Sequence, residues 1–149
     1  MFSSPEESLK LLLASLRAAH WVHWSGHWQV KSGNFYGDHL LLERVYSGIV
    51  EEIDTLAEKT VALYEVSAVD PLEQIDLSQT VVADFCQHSD TDPMLRSLQV
   101  EEYLQSLLQD VFNYLETQQA LPLGLNDYIA ATANNHETYL YLLRQRSRQ

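Results

Sequence analysis

Apolar residues recur along most of this chain at intervals of three and four, the spacing that places them on one side of an α-helix. Leu9, Leu12, Leu13, Leu16, Ala19 and Val22 form the first such run. Ser4-Pro5-Glu6-Glu7 precedes it with a serine cap, a proline for the first turn and Glu7 placed for a capping box, so a helix should begin there. Lys31-Ser32-Gly33-Asn34 breaks the run. A second long helix is predicted over 35–64, with Leu42, Val45, Ile49, Ile53, Leu56 and Val61 at core positions. From 65 to 93 the pattern loosens: Pro71, Gln87-His88-Ser89-Asp90 and Asp92-Pro93 read as loop, leaving room for a short helix over 72–77. A third long helix follows over 94–119, carrying Leu98, Tyr103, Leu104, Leu107, Val111 and Leu115, until Pro122 and Gly124 punctuate its end. The last, over 125–146, has Ile129, Ala133, His136, Leu140 and Leu143 on one side.

Four long helices with one long connection between the second and third predict an all-α, ferritin-like four-helix bundle, in which a crossover joins the middle helices. At 149 residues and 46% hydrophobic, the chain is expected to be one domain, 1–149, with a substantial core. Nine Lys plus Arg against 21 Asp plus Glu leave a formal charge of minus 12, which opposes phosphate binding and attracts cations. Every long apolar stretch is interrupted by charge, and MFSSPEESLK has no basic region followed by an apolar run, so neither a membrane span nor an export signal is expected. Cys86 is the only cysteine, compatible with a reducing compartment. The expectation is cytoplasmic.

The charged residues of the second helix change the picture most. On a helix turning about 100° per residue, His39, Glu43, Asp54 and Glu58 fall within an arc of about 100°. His39 and Asp54 are separated by about 22 Å along the axis, too far to hold one ion within one chain. The spacing is palindromic about a midpoint between Gly48 and Ile49: His39 mirrors Glu58, and Glu43 mirrors Asp54. A second, antiparallel copy of the helix crossing at Gly48 would bring His39 and Glu43 against its Asp54 and Glu58, giving two equivalent sites in an isologous dimer. On this reading Gly48 is there to let two backbones approach closely. Imidazole and carboxylate together suit iron, zinc or manganese, and few protein ligands leave positions open for an oxidant. His27 lies on the first helix, and the turn at 31–34 can return it beside His39; geometry alone assigns it with less force.

From Gly26 to Lys59 the sequence GHWQVKSGNFYGDHLLLERVYSGIVEEIDTLAEK resembles the Dps family, the miniferritins. The matching elements are His27-Trp28, Gly33, Phe35, His39, Glu43 and Asp54-Thr55-Leu56-Ala57-Glu58, with weaker similarity over the rest of the chain. The resemblance implies intersubunit ferroxidase ligands at His27, His39, Glu43, Asp54 and Glu58. It also implies a hollow dodecamer that oxidises Fe(II), usually with hydrogen peroxide, and stores ferric mineral, protecting against oxidative damage. Zinc is expected to fit the same site. Trp28, beside His27, is a candidate radical sink or simply a packed aromatic.

The chain departs from the family pattern in several places. Glu43 stands where aspartate is most usual and is one methylene longer. The N-terminus has only Lys10 where DNA-compacting members carry a lysine-rich tail, so DNA binding is not expected. Arg144, Arg146 and Arg148 are read as complementing the dipole of the last helix. Asp127 is the one obvious acidic residue near the start of that helix, where the family lines its iron pores. Glu51 and Glu52 are read as cavity-facing nucleation residues or a solvated surface. His20 and His23 join His27 within about 60° of one helix face, as an accessory metal path or as hydrogen-bonded interface residues. His88 and His136 carry no partner pattern. The competing functions are a non-redox zinc-binding bundle centred on His20, His23 and His27, and a DNA-compacting protein with minor iron chemistry. An ordinary di-iron oxidase would need Glu-x-x-His on two helices, and the sequence contains none.

Overall fold

The computed structural model describes residues 2–148. Its helices are α1 (Pro5–Gln29), α2 (Phe35–Leu63), α3 (Pro71–Cys86), α4 (Pro93–Thr117) and α5 (Leu123–Ser147), with a 3₁₀ turn at Val66–Val69. α1 begins where the sequence places it: Ser4 Oγ accepts a hydrogen bond from the Glu7 amide, with Pro5 in the first turn. The bundle is ferritin-like: α1 and α2 form one antiparallel hairpin, α4 and α5 the other, and α1 packs against α4 between them. Leu12, Leu16, Val45, Ile49, Leu104, Leu108, Val111 and Ile129 interlock at the centre, each at most 2% exposed. The apolar stripes predicted on the four long helices therefore face inward, mostly onto this core, with Leu42, Leu98 and Leu143 in a second, smaller cluster beside Val30 and Met94.

The connection holds more structure than the sequence pattern suggests. In place of a short helix over 72–77, α3 runs 16 residues from an Asp70 cap that accepts from the Glu73 amide. It lies along α1, but its inward stripe carries polar residues where aliphatic ones would advertise a helix. Gln74 Nε2 donates to the Lys10 carbonyl and Ser78 Oγ to the Ala14 carbonyl, both at 3.2 Å. Lys10 Nζ in turn reaches Glu73 at 3.2 Å, tying α3 down at its first turn.

Gly48 has a different role from the one the palindrome suggests. It lies about 180° round α2 from His39, on the inward side. A Cβ there would overlap the Tyr139 hydroxyl and come within 3.1 Å of Tyr139 Cζ. The close approach it permits is between α2 and α5 of the same chain. Close by, Tyr128 Oη donates to the Glu52 carbonyl at 2.7 Å, so α5 grips α2 at the helix midpoint.

Adding a methyl at this contact is expected to force Tyr139 aside. Gly48→Ala should cost about 1–3 kcal/mol in urea denaturation. Removing the opposing hydroxyl with Tyr139→Phe should recover part of that loss, so the double variant is less destabilised than the sum of the singles. Simple additivity would place the strain elsewhere.

Candidate metal centre

The turn after α1 is tight. Ser32 accepts from the Asn34 amide through its hydroxyl and from the Phe35 amide through its carbonyl, at 3.2 and 3.1 Å. The chain reverses there, so the last turn of α1 lies beside the first turns of α2. Gly26 is buried at that contact, where a Cβ would stand 3.2 Å from Leu42 Cδ1, and its absence lets the helices close up. From the far end of the chain, Arg146 on α5 makes two 2.8 Å bonds to the buried Asp38 carboxylate, fixing the residue next to His39. Arg146 thus serves the start of α2 directly, beyond the general dipole role read from the sequence.

His27 and His39 meet across this hairpin. Their rings stack at 3.5 Å between centroids and 18° between planes. His27 Nδ1 lies 2.6 Å from the His39 carbonyl, and His39 Nδ1 lies 2.7 Å from the His27 carbonyl. A carbonyl only accepts, so each Nδ1 carries the proton and donates it. In the neutral ring, each Nε2 then keeps its lone pair. This reciprocal clasp is what metal-binding histidines need: one nitrogen anchored, the other free to coordinate. Phe35 stacks on His39 at 5.0 Å, and Tyr46 meets His27 edge-on at 5.3 Å.

The acidic candidates remain apart from the histidines of their own chain. Glu43, Asp54 and Glu58 are exposed along one face of α2, with Ser47 and the half-exposed Val50 between them. α2 packs on α1, the 3₁₀ turn and α5, leaving this face uncovered. Among the described residues no group of three or more His, Cys, Asp or Glu is placed to hold a metal ion. One chain therefore brings together the two histidines and no complete ligand set, as the axial separation of His39 and Asp54 requires.

Of the accessory candidates, Glu51 and Asp127 are exposed. His20 is half-buried against Trp24 and Tyr46, and burial followed by the charge of His23 lowers its pKa. Glu52 departs from both of its sequence readings, and His23 takes the hydrogen-bonded role in place of the metal path. Neither faces a cavity or a metal path; both are buried inside the bundle. His23 Nδ1 pairs with Ser97 Oγ at 2.9 Å, and its Nε2 with Glu101 Oε1 at 2.7 Å. Glu101 Oε2 accepts from His136 Nδ1 at 2.5 Å, and His136 Nε2 donates to Glu52 Oε2 at 2.7 Å. Asn135 completes the line on Glu52 Oε1 at 3.3 Å. A hydrogen-bonded series of acids and bases thus crosses all four long helices: α1, α4, α5, α2. Three histidines of α1 do not converge, which removes the basis for a zinc site centred on His20, His23 and His27.

His136, which carries no partner pattern in the sequence, is the centre of that series. Both its nitrogens face carboxylates, so both carry protons. Burial opposes the charge, but Glu101 and then Glu52 outweigh it and raise its pKa to about 10. Burial likewise opposes ionisation of Glu101, yet His136 and then His23 hold its carboxyl down to about 2. These are two views of one ion pair, not two contributions to be added. A sequence signal does exist: Glu101 and His136 each occupy a core position of an apolar helical stripe, where an ionisable group requires a buried partner.

The pair sets a pH window. The raised His136 stabilises the fold fully below its ordinary 6.5, and this is lost as pH rises towards 10. The depressed Glu101 stabilises it above 4.5, and this is lost as pH falls towards 2. His136→Leu leaves the Glu101 charge short of its main partner and should cost about 3–5 kcal/mol near neutral pH. It should also flatten the alkaline decline in the denaturation midpoint; an unchanged alkaline slope would place the linkage on another group.

No protein-family model matches the chain. No curated protein matches it in sequence. Solved structures do match its fold. Dps from Thermosynechococcus elongatus superposes with a TM-score of 0.82 at 17% identity, covering 97% of this chain and 90% of that one. DpsC from Streptomyces coelicolor gives 0.80 at 22% identity, covering 97% and 84%. The DPS protein from Vibrio cholerae O1, described as a member of a broad superfamily of ferritin-like diiron-carboxylate proteins, gives 0.79 at 17% identity, covering 97% and 89%. At these identities the likeness establishes the fold.

Proposed function

We propose that this chain is a Dps-like ferroxidase whose iron site is completed between two copies. The observation that carries the reading is the His27–His39 clasp, which leaves both Nε2 lone pairs free at one end of an uncovered helix face bearing Glu43, Asp54 and Glu58. In this reading Fe(II) enters as substrate. His27, His39 and Glu43 of one copy bind it together with Asp54 and Glu58 of the second. The two neutral imidazoles accept Fe(II), and the hard, anionic carboxylates favour the Fe(III) product and offset its charge. Two Fe(II) ions and two protons reduce one hydrogen peroxide to two waters, leaving two Fe(III), so no one-electron oxygen product need form. Zinc suits the same nitrogen and oxygen donors and would compete without redox chemistry.

The fold likeness to Dps structures supports the further reading that the two-copy unit belongs to a hollow shell of twelve, in which ferric mineral collects. Acidic residues at the surface such as Glu51 and Asp127 suit iron entry or nucleation better than nucleic-acid contact, given the net charge of minus 12. Among the described residues no helix is long and apolar enough to cross a membrane. The whole of 1–149 is taken as one unit, working in the cytoplasm.

Stopped-flow absorbance after anaerobic addition of peroxide to Fe(II)-loaded protein tests the chemistry. Wild type should oxidise iron far faster than free Fe(II), and Asp54→Ala/Glu58→Ala should fall to the free-iron rate with an unchanged helical circular dichroism spectrum. A double variant that keeps the wild-type rate would rule out the shared site.

A further inference from the structure

α3 is inverted for a surface helix. Its polar Gln74 and Ser78 face α1, whereas Leu72 and Ile75 are 75% and 60% exposed. On α1, the exposed Trp28 at least rests on Trp24, at 5.3 Å. Trp21, 67% exposed, makes no ring contact among the described residues and lines the seam between α1 and α3 instead. A groove of about 480 Å³ follows that seam, walled by Ala18, Trp21, Ile75 and Val82. Small-ligand sites have volumes of roughly 300–1,000 Å³. Past Trp21 and Val82, which line both parts, the groove continues into a hollow of about 270 Å³ beside Val22, Ser25 and Cys86. From Gln74 to Cys86 it follows about 18 Å of α3, a length that suits an extended chain better than a compact ring.

Two polar groups interrupt the apolar wall. Gln74 is 1% exposed, and its Nε2 donates to the Lys10 carbonyl, which fixes the orientation of the amide. Its buried Oε1 has no donor among the described residues, an arrangement that favours a donor arriving from outside. Arg17 is half-buried at the rim. Among the described residues its guanidinium has neither hydrogen bond nor ion pair, in a chain where 21 acidic residues outnumber nine basic ones. Gln74 bonds to Lys10 and Ser78 to Ala14, so α3 runs parallel to α1. Helical side chains lean towards the N-terminus, which brings Arg17 towards the Gln74 end and leaves Trp21 and Val82 at the other. We propose that this groove binds a long-chain hydroxy acid. Its carboxylate pairs with Arg17, its hydroxyl donates to Gln74 Oε1, and its alkyl chain lies over Ala18 and Ile75 and passes Trp21 towards Cys86. A simple fatty acid would leave Gln74 without a donor, and a simple alcohol would leave Arg17 without an anion. No residue of α2, which carries the acidic ligands of the proposed iron site, lines the groove, so the two readings stand or fall separately.

Isothermal titration calorimetry of the full chain in its native assembly, with β-hydroxydodecanoate, dodecanoate and dodecanol each below its micelle concentration, tests the site. Wild type should bind one hydroxy acid per chain, about three- to tenfold more tightly than either simpler ligand. Its preference over dodecanol should shrink with added salt. Gln74→Met should bind the two acids alike, and Arg17→Met should lose the preference over dodecanol, each with an unchanged helical circular dichroism spectrum. Equal affinity of wild type for all three ligands overturns the proposal, as do preferences that survive both substitutions. Wild type that binds none of them, together with an assembly that Trp21→Ser breaks apart, gives the groove to a neighbouring copy and overturns it too.

Discussion

The exchange of two hydrogen bonds between His27 and His39 is the contact on which the functional account depends. A histidine on a helix can offer either nitrogen, and a mobile ring offers neither consistently. Here each Nδ1 proton is committed to the other residue's backbone carbonyl, so both rings are oriented and each Nε2 is left as the donor atom. The arrangement needs the last turn of α1 and the first turns of α2 at close quarters. The tight turn at 31–34, the missing side chain at Gly26 and the Asp38–Arg146 ion pair each serve that approach.

Deeper in the bundle, a second set of histidines has the opposite character. The line His23–Glu101–His136–Glu52 has every imidazole nitrogen engaged, so it holds protons where the clasp offers lone pairs. In the usual arrangement of a ferritin-like di-iron bundle, the interior carries carboxylates and Glu-x-x-His pairs from facing helices. In this chain that interior is occupied by a self-satisfied ionic line, and the free donors lie on the outer face of the α1–α2 hairpin. Buried charge of this kind is weak support for stability in itself, but losing one member strands the others. It therefore fixes how the helices sit against one another, and with them the frame that positions the clasp.

Much of this is legible in the sequence because it follows from periodicity. Apolar spacing with Pro and Gly punctuation bounds α1, α2, α4 and α5, and each matches the structure within about two residues. α3 is longer than its pattern predicts because Gln74 and Ser78 occupy its inward stripe, and a hydrogen bond to a neighbouring helix leaves no apolar trace. The shared face of His39, Glu43, Asp54 and Glu58 is readable from angle alone. The palindrome misleads at Gly48 because it takes no account of angle: the residue sits opposite that face, where Tyr139 fills the space. The buried line is hard to read since its members are distant in sequence and each resembles a surface residue in isolation. Glu101 and His136 lying within apolar stripes are the signal that betrays it.

In the proposed site one chain supplies the histidines with Glu43 and another supplies Asp54 and Glu58, and complementation tests this directly. Chains carrying His27→Ala/His39→Ala are co-expressed in equal amounts with chains carrying Asp54→Ala/Glu58→Ala. Either variant alone should be inactive in peroxide-driven Fe(II) oxidation. In a mixed pair, one site loses both halves and the other is whole, so random pairing in an isologous dimer should restore about a quarter of the wild-type rate. A mixture as inactive as its components would contradict the shared site, because ligands drawn from one chain cannot be restored by pairing.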